Sequence, residues 1–148
     1  MKLTYESEYR KRYGMKMVDV DSEAKKKSKA HYSSAVVHNG IVYVSGQLPM
    51  DPEKGAPVEG GIEEQARAAL QSLSEVLETA GSSKERVLRT TAYISDVALW
   101  GRVNEVYAEF FGDHKPARTI VPTTELHYGC LIEIDAVAIA GDTSEKDQ

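Results

Sequence analysis

The chain has 148 residues, with 18 basic and 23 acidic side chains, a formal net charge of −5 and a single cysteine, Cys130. That length bounds it to one domain, or one domain plus a tail, and a single cysteine excludes an internal disulfide and a multi-cysteine zinc site. The acidic balance argues against phosphate-driven binding of nucleic acid, which needs clustered Lys and Arg.

No apolar run approaches the ~20 residues that a membrane helix requires. The segment after Met1 has no apolar stretch that could serve as a secretory signal. With so little cysteine, the expected address is reducing and cytoplasmic. Residues 1–28 are charged and poor in periodic apolar positions, and read as an extension, partly ordered at best. Their lysine run, Lys25-Lys26-Lys27-Ser28-Lys29, reads as a solvated flank in preference to a nucleic-acid patch. Residues 29–140 form the expected domain, and the polar residues 141–148 a tail.

Tyr32–His38 and Ile41–Ser45 are β-branched and aromatic runs around Asn39-Gly40, a strong signal for a type I′ hairpin. Asp51 to Gly55 is a loop. Gly60-Gly61 then opens a helix whose apolar positions, from Ile62 and Ala66 through Leu73 to Leu77 and Ala80, recur at three- and four-residue spacing. Glu63 and Glu64 complement its dipole, and Gly81 stops it. Ser82 to Glu85 fits a capping box and a short helical turn. Val87–Ser95 reads as a strand, with Leu88, Thr90, Ala92 and Ile94 on one face. Asp96 caps a second helix that Gly112 closes. A short strand is expected at Thr119–Val121 and a final one from about Cys130 to Ala140. The order ββ-α-β-α-ββ predicts an α+β mixed sheet with both helices on one face. Val36, Val42, Tyr43 and Val44, with the last strand, leave apolar surface on the other face, which predicts a homo-oligomer.

The last strand alternates Leu131, Glu133, Asp135, Val137 and Ile139 with Cys130, Ile132, Ile134, Ala136 and Ala138. Its two carboxylates are either proton-handling groups with burial-raised pKa values or ordinary surface charges. Arg118, stiffened by Pro116, either presents a planar fork to a carboxylate or is a surface arginine. Gly46 either offers its N–H to an anion or is a turn glycine. The four histidines show no ligand spacing, so no metal is expected. No serine-hydrolase elbow, phosphate loop or dinucleotide fingerprint is present. Cys130 reads as a buried thiol, and Tyr107 reads by spacing as core.

Ser45-Gly46-Gln47-Leu48-Pro49, Gly61 to Ala66, Ala80-Gly81-Ser82, Val103 to Phe111, Pro116-Ala117-Arg118 and Ile132 to Ala138 together resemble the RidA (YjgF) family. The resemblance spans about Tyr32 to Ala140. It implies a chorismate-mutase-like α+β fold, assembled as a trimer around a central β-barrel with clefts between subunits. It also implies a cofactor-independent hydrolase acting on reactive 2-enamine and 2-imine acids, releasing a 2-keto acid and ammonia. Carried over by position, Arg118 would hold the substrate carboxylate and the N–H groups of Gly46 and Ile120 would add to that hold. Glu133 would orient or activate water. Tyr32 and Tyr107 would line the cleft, with Asn104 in support and Ser45 a lesser candidate. The alternatives are a non-catalytic carboxylate-binding module, a translation-inhibiting or RNA-cleaving relative, and a deaminase of a larger aminated diacid. The sequence departs from the family at Ala30-His31, where Gly-Pro is usual, at Leu126-His127-Tyr128, where Leu-Pro-Lys is usual, and at Ile120, often a cysteine. His127 and Tyr128 would reshape the cleft mouth.

Overall fold

A computed structural model describes residues 11–20, 25–26 and 28–141. The expected extension therefore lies outside the described residues at 1–10, 21–24 and 27, and the expected tail at 142–148. In chain order the main elements are β1 (Met15–Val18), β2 (Ala35–His38), β3 (Ile41–Gln47), β4 (Met50–Asp51), β5 (Ala56–Pro57), α1 (Ile62–Thr79), β6 (Val87–Ile94), α2 (Trp100–Phe111), β7 (Ala117–Pro122) and β8 (Ile132–Ile139).

Six strands form one sheet in the order β1-β2-β3-β8-β6-β7, and β4-β5 pair separately. Neighbours run antiparallel except β6 and β7, which are parallel. A parallel pair needs a crossover connection, and α2 supplies it. The hairpin between β2 and β3 turns on Asn39 and Gly40, with φ of 50° and 76°, as a type I′ turn demands.

The core lies between the sheet and the two helices. Ile62, Ala66, Ala69, Leu70, Leu73, Val76 and Leu77 of α1 are buried. They meet the alternating inward set Val42, Val44, Ile132, Ile134, Ala136 and Ala138. Each large apolar side chain removed from water in this way is worth about 1.5–3 kcal/mol. Val42 and Val44 thus face the helices, which corrects their assignment to the open face. The open face carries instead Val36 and Tyr43, paired across β2 and β3, and Ile139. Tyr43 is half exposed.

Three local features differ from the sequence reading. The sheet begins at β1, whose Met15–Val18 pairs with β2. Four residues with one lysine carry too little alternation to announce a strand. In β6, Val87 opposes Ala138 while Arg89 opposes Val137. This bulge turns Leu88 out to solvent and Val87 into the core, reversing the expected faces at that end. The turn Lys84–Arg86 starts after Ser83, whose side chain makes no cap, and Ser82 Oγ donates instead to the Ile139 carbonyl at 2.6 Å, so the expected capping box does not form.

Candidate functional site

All the expected site residues except Ile120 divide between two cavities. The first, of about 970 Å3, is lined by Tyr32, Ser45, Gly46 and Glu133, with His127, Tyr128 and several lysines. The second, of about 500 Å3, is lined by Asn104, Tyr107 and Arg118, with His114 and Lys115.

A second bulge creates the first cavity's inner wall. Val44 opposes Ala136 and Gln47 opposes Ile134, so three steps on β3 match two on β8. The extra residue falls at Ser45-Gly46 and re-aims the strand end. Glu133 lies so close that a Cβ at residue 46 would overlap its carboxylate. Only glycine leaves that space. Side chains lock the bulge from both sides. Ser45 Oγ donates to the Ser33 carbonyl at 2.7 Å, Gln47 Nε2 donates to the Ser45 carbonyl at 2.8 Å, and Ser72 Oγ of α1 donates to Gln47 Oε1 at 2.6 Å. Ser45 therefore holds the chain before β2 in place. Gln47 and Ser72 were missed by sequence reasoning, since nothing local marks a glutamine that braces a bulge.

Burial raises the Glu133 pKa above the usual carboxylate range. The like charge of Asp135 adds to the rise, and His127 opposes it. Asp135 is raised by burial too, against hydrogen bonds from Thr91 and Tyr93. Of the two carboxylates on this face, only Glu133 opens into the cavity. Burial also pushes up the Cys130 thiol, as expected of an inert cysteine.

The mouth of this cavity includes a constrained aromatic. Tyr128 sits at φ 60°, ψ 17°, a left-handed conformation that bulky residues seldom adopt. Its ring packs on His127 with centroids 3.7 Å apart.

The second cavity is organised around Arg118 on edge strand β7. Arg118 Nη1 donates to Asn104 Oδ1 at 3.0 Å, and its Cζ lies 5.1 Å from the Tyr107 ring centroid. Tyr107 is 5% exposed, and its hydroxyl donates to Thr90 Oγ1 at 2.8 Å. Burial holds its pKa up at about 12, so the phenol stays protonated. Tyr107 is a core residue that offers Arg118 a ring face, while Asn104 fixes the guanidinium's plane. Such a prepositioned fork suits a carboxylate. Ile120 faces the core, 6% exposed. Within one chain, then, Arg118 and Glu133 belong to separate walls. Among the described residues, no group of three or more His, Cys, Asp or Glu side chains could hold a metal, and no helix is long and apolar enough to cross a membrane.

Comparison with known proteins adds family information. A family profile described as Endoribonuclease L-PSP matches residues 22–140. A 2-iminobutanoate/2-iminopropanoate deaminase of Rattus norvegicus is 42% identical over 110 residues, covering 74% of this chain and 80% of the relative. The crystal structure of a Yersinia pestis member of the conserved Rid protein family superposes with a TM-score of 0.79 at 34% identity, covering 85% of this chain and 99% of that one. That of E. coli TdcF with bound serine superposes with a TM-score of 0.77 at 27% identity, with the same coverage.

Proposed function

The chain belongs to the RidA (YjgF) family, and we propose that it hydrolyses reactive 2-imino acids to 2-keto acids and ammonia at a site shared by two copies of itself. An enamine acid such as 2-aminoacrylate enters the same path once it tautomerises to the imine. Water adds to the imine carbon, and the resulting carbinolamine loses ammonia to leave the carbonyl. One water is consumed and one ammonia released, with no change of oxidation state and no cofactor.

Arg118 holds the substrate carboxylate in its fork, with the Gly46 and Ile120 N–H groups as further donors. Glu133 takes a proton from the attacking water and returns it to the departing nitrogen. A carboxyl whose pKa is raised by burial suits both halves of that exchange near neutrality. Tyr32 walls the cleft, Tyr107 and Asn104 hold Arg118, and Ser45 holds the bulge that makes room for Glu133. Much of the rate comes from positioning.

The observation that carries this reading is the division of the two charged groups between two cavities of one chain. A homotrimer packed through the open sheet face, with the strands closing a central barrel, would bring the Arg118 wall of one protomer against the Glu133 wall of the next. The exposed Tyr43 and Ile139 on that face support such packing.

Complementation tests it. Arg118→Ala and Glu133→Gln proteins are each expected to be nearly inactive. Unfolded together and reassembled at equal amounts, they should regain roughly a quarter of the wild-type activity, from sites that draw Arg118 from one parent and Glu133 from the other. Two inactive parents that stay inactive after mixing, with mixed oligomers demonstrated, would overturn the shared site.

A further inference from the structure

Tyr32 lies just ahead of β2 and is half exposed. An exposed side chain of that kind ordinarily changes rotamer freely. Here a lysine seven residues earlier holds it. Lys25 Nζ donates to the Tyr32 carbonyl at 2.7 Å and stands 3.7 Å from the centroid of the Tyr32 ring. One ammonium thus engages the main chain and a ring face of the same residue. A hydrogen bond from a charged donor is stronger than a neutral one, and the ring quadrupole attracts a cation over its face.

The lysine is itself aimed. Its Nζ lies 3.5 Å from Oδ1 of Asp19, the residue after β1. The same Asp19 oxygen accepts the N–H of buried Ser34 at 2.9 Å. From the other side, the β3 bulge holds the two residues after Tyr32. Ser45 Oγ donates to the Ser33 carbonyl at 2.7 Å, and the Ser45 N–H donates to the Ser34 carbonyl at 3.0 Å. Tyr32-Ser33-Ser34 is therefore clamped between the end of β1 and the bulge that sets Gly46 against Glu133. Lys25, Tyr32, Ser45, Gly46 and Glu133 line one cavity.

We propose that Lys25, aimed by Asp19, is a positioning residue that sets the Tyr32 ring as a wall of the Glu133 cavity. The functional site then includes two residues ahead of position 29, where the sequence places the start of the domain. This inference rests on the deaminase reading, in which Tyr32 walls the cleft. A wall that confines the substrate equally in the ground state and the transition state acts on KM and leaves kcat in place.

The competing role for Lys25 is direct attraction of an anionic substrate. A double-mutant cycle with Tyr32 separates the two, because only a positioning role needs the ring. The imine is generated in place from 2-aminobutanoate by an amino acid oxidase, and kcat and KM are measured for its accelerated hydrolysis. Lys25→Met is expected to raise KM about fivefold to tenfold and to change kcat by less than about twofold, with an unchanged thermal melt. Lys25→Arg keeps a cation for the ring and should stay near wild type. In a Tyr32→Ala background, Lys25→Met should raise KM by no more than about twofold. Asp19→Asn keeps an oxygen for the Ser34 N–H but loses the charge that aims the lysine, so it should raise KM by a smaller factor. It carries the same comparison if Lys25→Met melts lower. A KM that these variants leave unchanged, or one that rises equally with and without the Tyr32 ring, overturns the positioning role.

If the wild-type protein accelerates no imine hydrolysis, the deaminase reading fails, and binding of 2-oxobutanoate by calorimetry reads the wall without turnover. Weaker binding by Lys25→Met that disappears in the Tyr32→Ala background would still uphold the role of Lys25. An equal loss in both backgrounds, or no binding by the wild-type protein, would remove it.

Discussion

The carboxylate of Glu133 occupies the space in which any side chain at position 46 would stand, so that a Cβ on Gly46 would overlap Glu133 Oε1. The two residues belong to neighbouring strands and are brought together by the β3 bulge. The need for glycine here is steric and comes from one opposing side chain.

Gly46→Ala is therefore expected to displace Glu133 while leaving the fold intact, since the clash is with the end of a side chain. On the proposed mechanism, kcat/KM falls about tenfold to hundredfold, because misplacing a catalytic group by an ångström has that order of effect. Steady-state kinetics alongside a thermal melt checks it. Unchanged kinetics with an unchanged melt would show that Glu133 does not need its present position.

Arg118 is tested by paired substitutions. Arg118→Ala removes the fork and is expected to lower kcat/KM by about 10²-fold or more. Arg118→Lys keeps the charge but loses the planar donors that Asn104 and the Tyr107 ring orient, so it should recover little of the loss. Full rescue by lysine would mean that charge alone suffices.

Glu133 has consequences for both rate and stability. Its raised pKa means that the carboxylate form, the one that accepts a proton from water, is lost as pH falls through a value above the ordinary carboxylate range. The acid limb of the kcat/KM profile should sit at that raised value and vanish in Glu133→Gln.

The stability effect of Glu133 has the opposite sense to that of a salt-bridged acid. The folded state holds the proton to higher pH than the unfolded chain does. Glu133 therefore contributes no penalty below its unfolded pKa and costs stability as pH rises through its folded pKa. Glu133→Gln is expected to raise the melting temperature at neutral pH, with the gain shrinking toward acid pH. A variant that melts lower at neutral pH would contradict the burial origin of the shift.

Tyr107→Phe removes the hydroxyl that donates to Thr90 Oγ1 and leaves the Thr90 hydroxyl, fully buried, without that partner. The expected cost is about 1–3 kcal/mol, the usual range for an orphaned buried polar group. Denaturant unfolding measures it. No change in midpoint would mean that Thr90 finds another partner.

Much of the architecture could be read in the order of residues, because it depends on neighbours within a few positions. The three- and four-residue spacing of Ile62, Ala66, Leu73 and Leu77 dictates α1. Asn39-Gly40 dictates the β2–β3 turn, and Asp96 caps the turn before α2 through the Ala98 N–H at 2.9 Å. The alternation of Ile132, Glu133, Ile134 and Asp135 correctly separates the core face of β8 from its open face.

What the tertiary structure alone decided are the relations between strands distant in sequence. Strand order puts β7 at the edge, two strands from β8, and so sends Arg118 and Glu133 to separate cavities. Bulges in β3 and β6 shift the pairing by one residue, exposing Leu88 and setting Gly46 against the Glu133 carboxylate. A bulge depends on both partners of a ladder and on what packs against it, here Gln47 braced by Ser72 from α1. Local propensity carries no trace of that bracing, because its partners are joined only when the chain is folded.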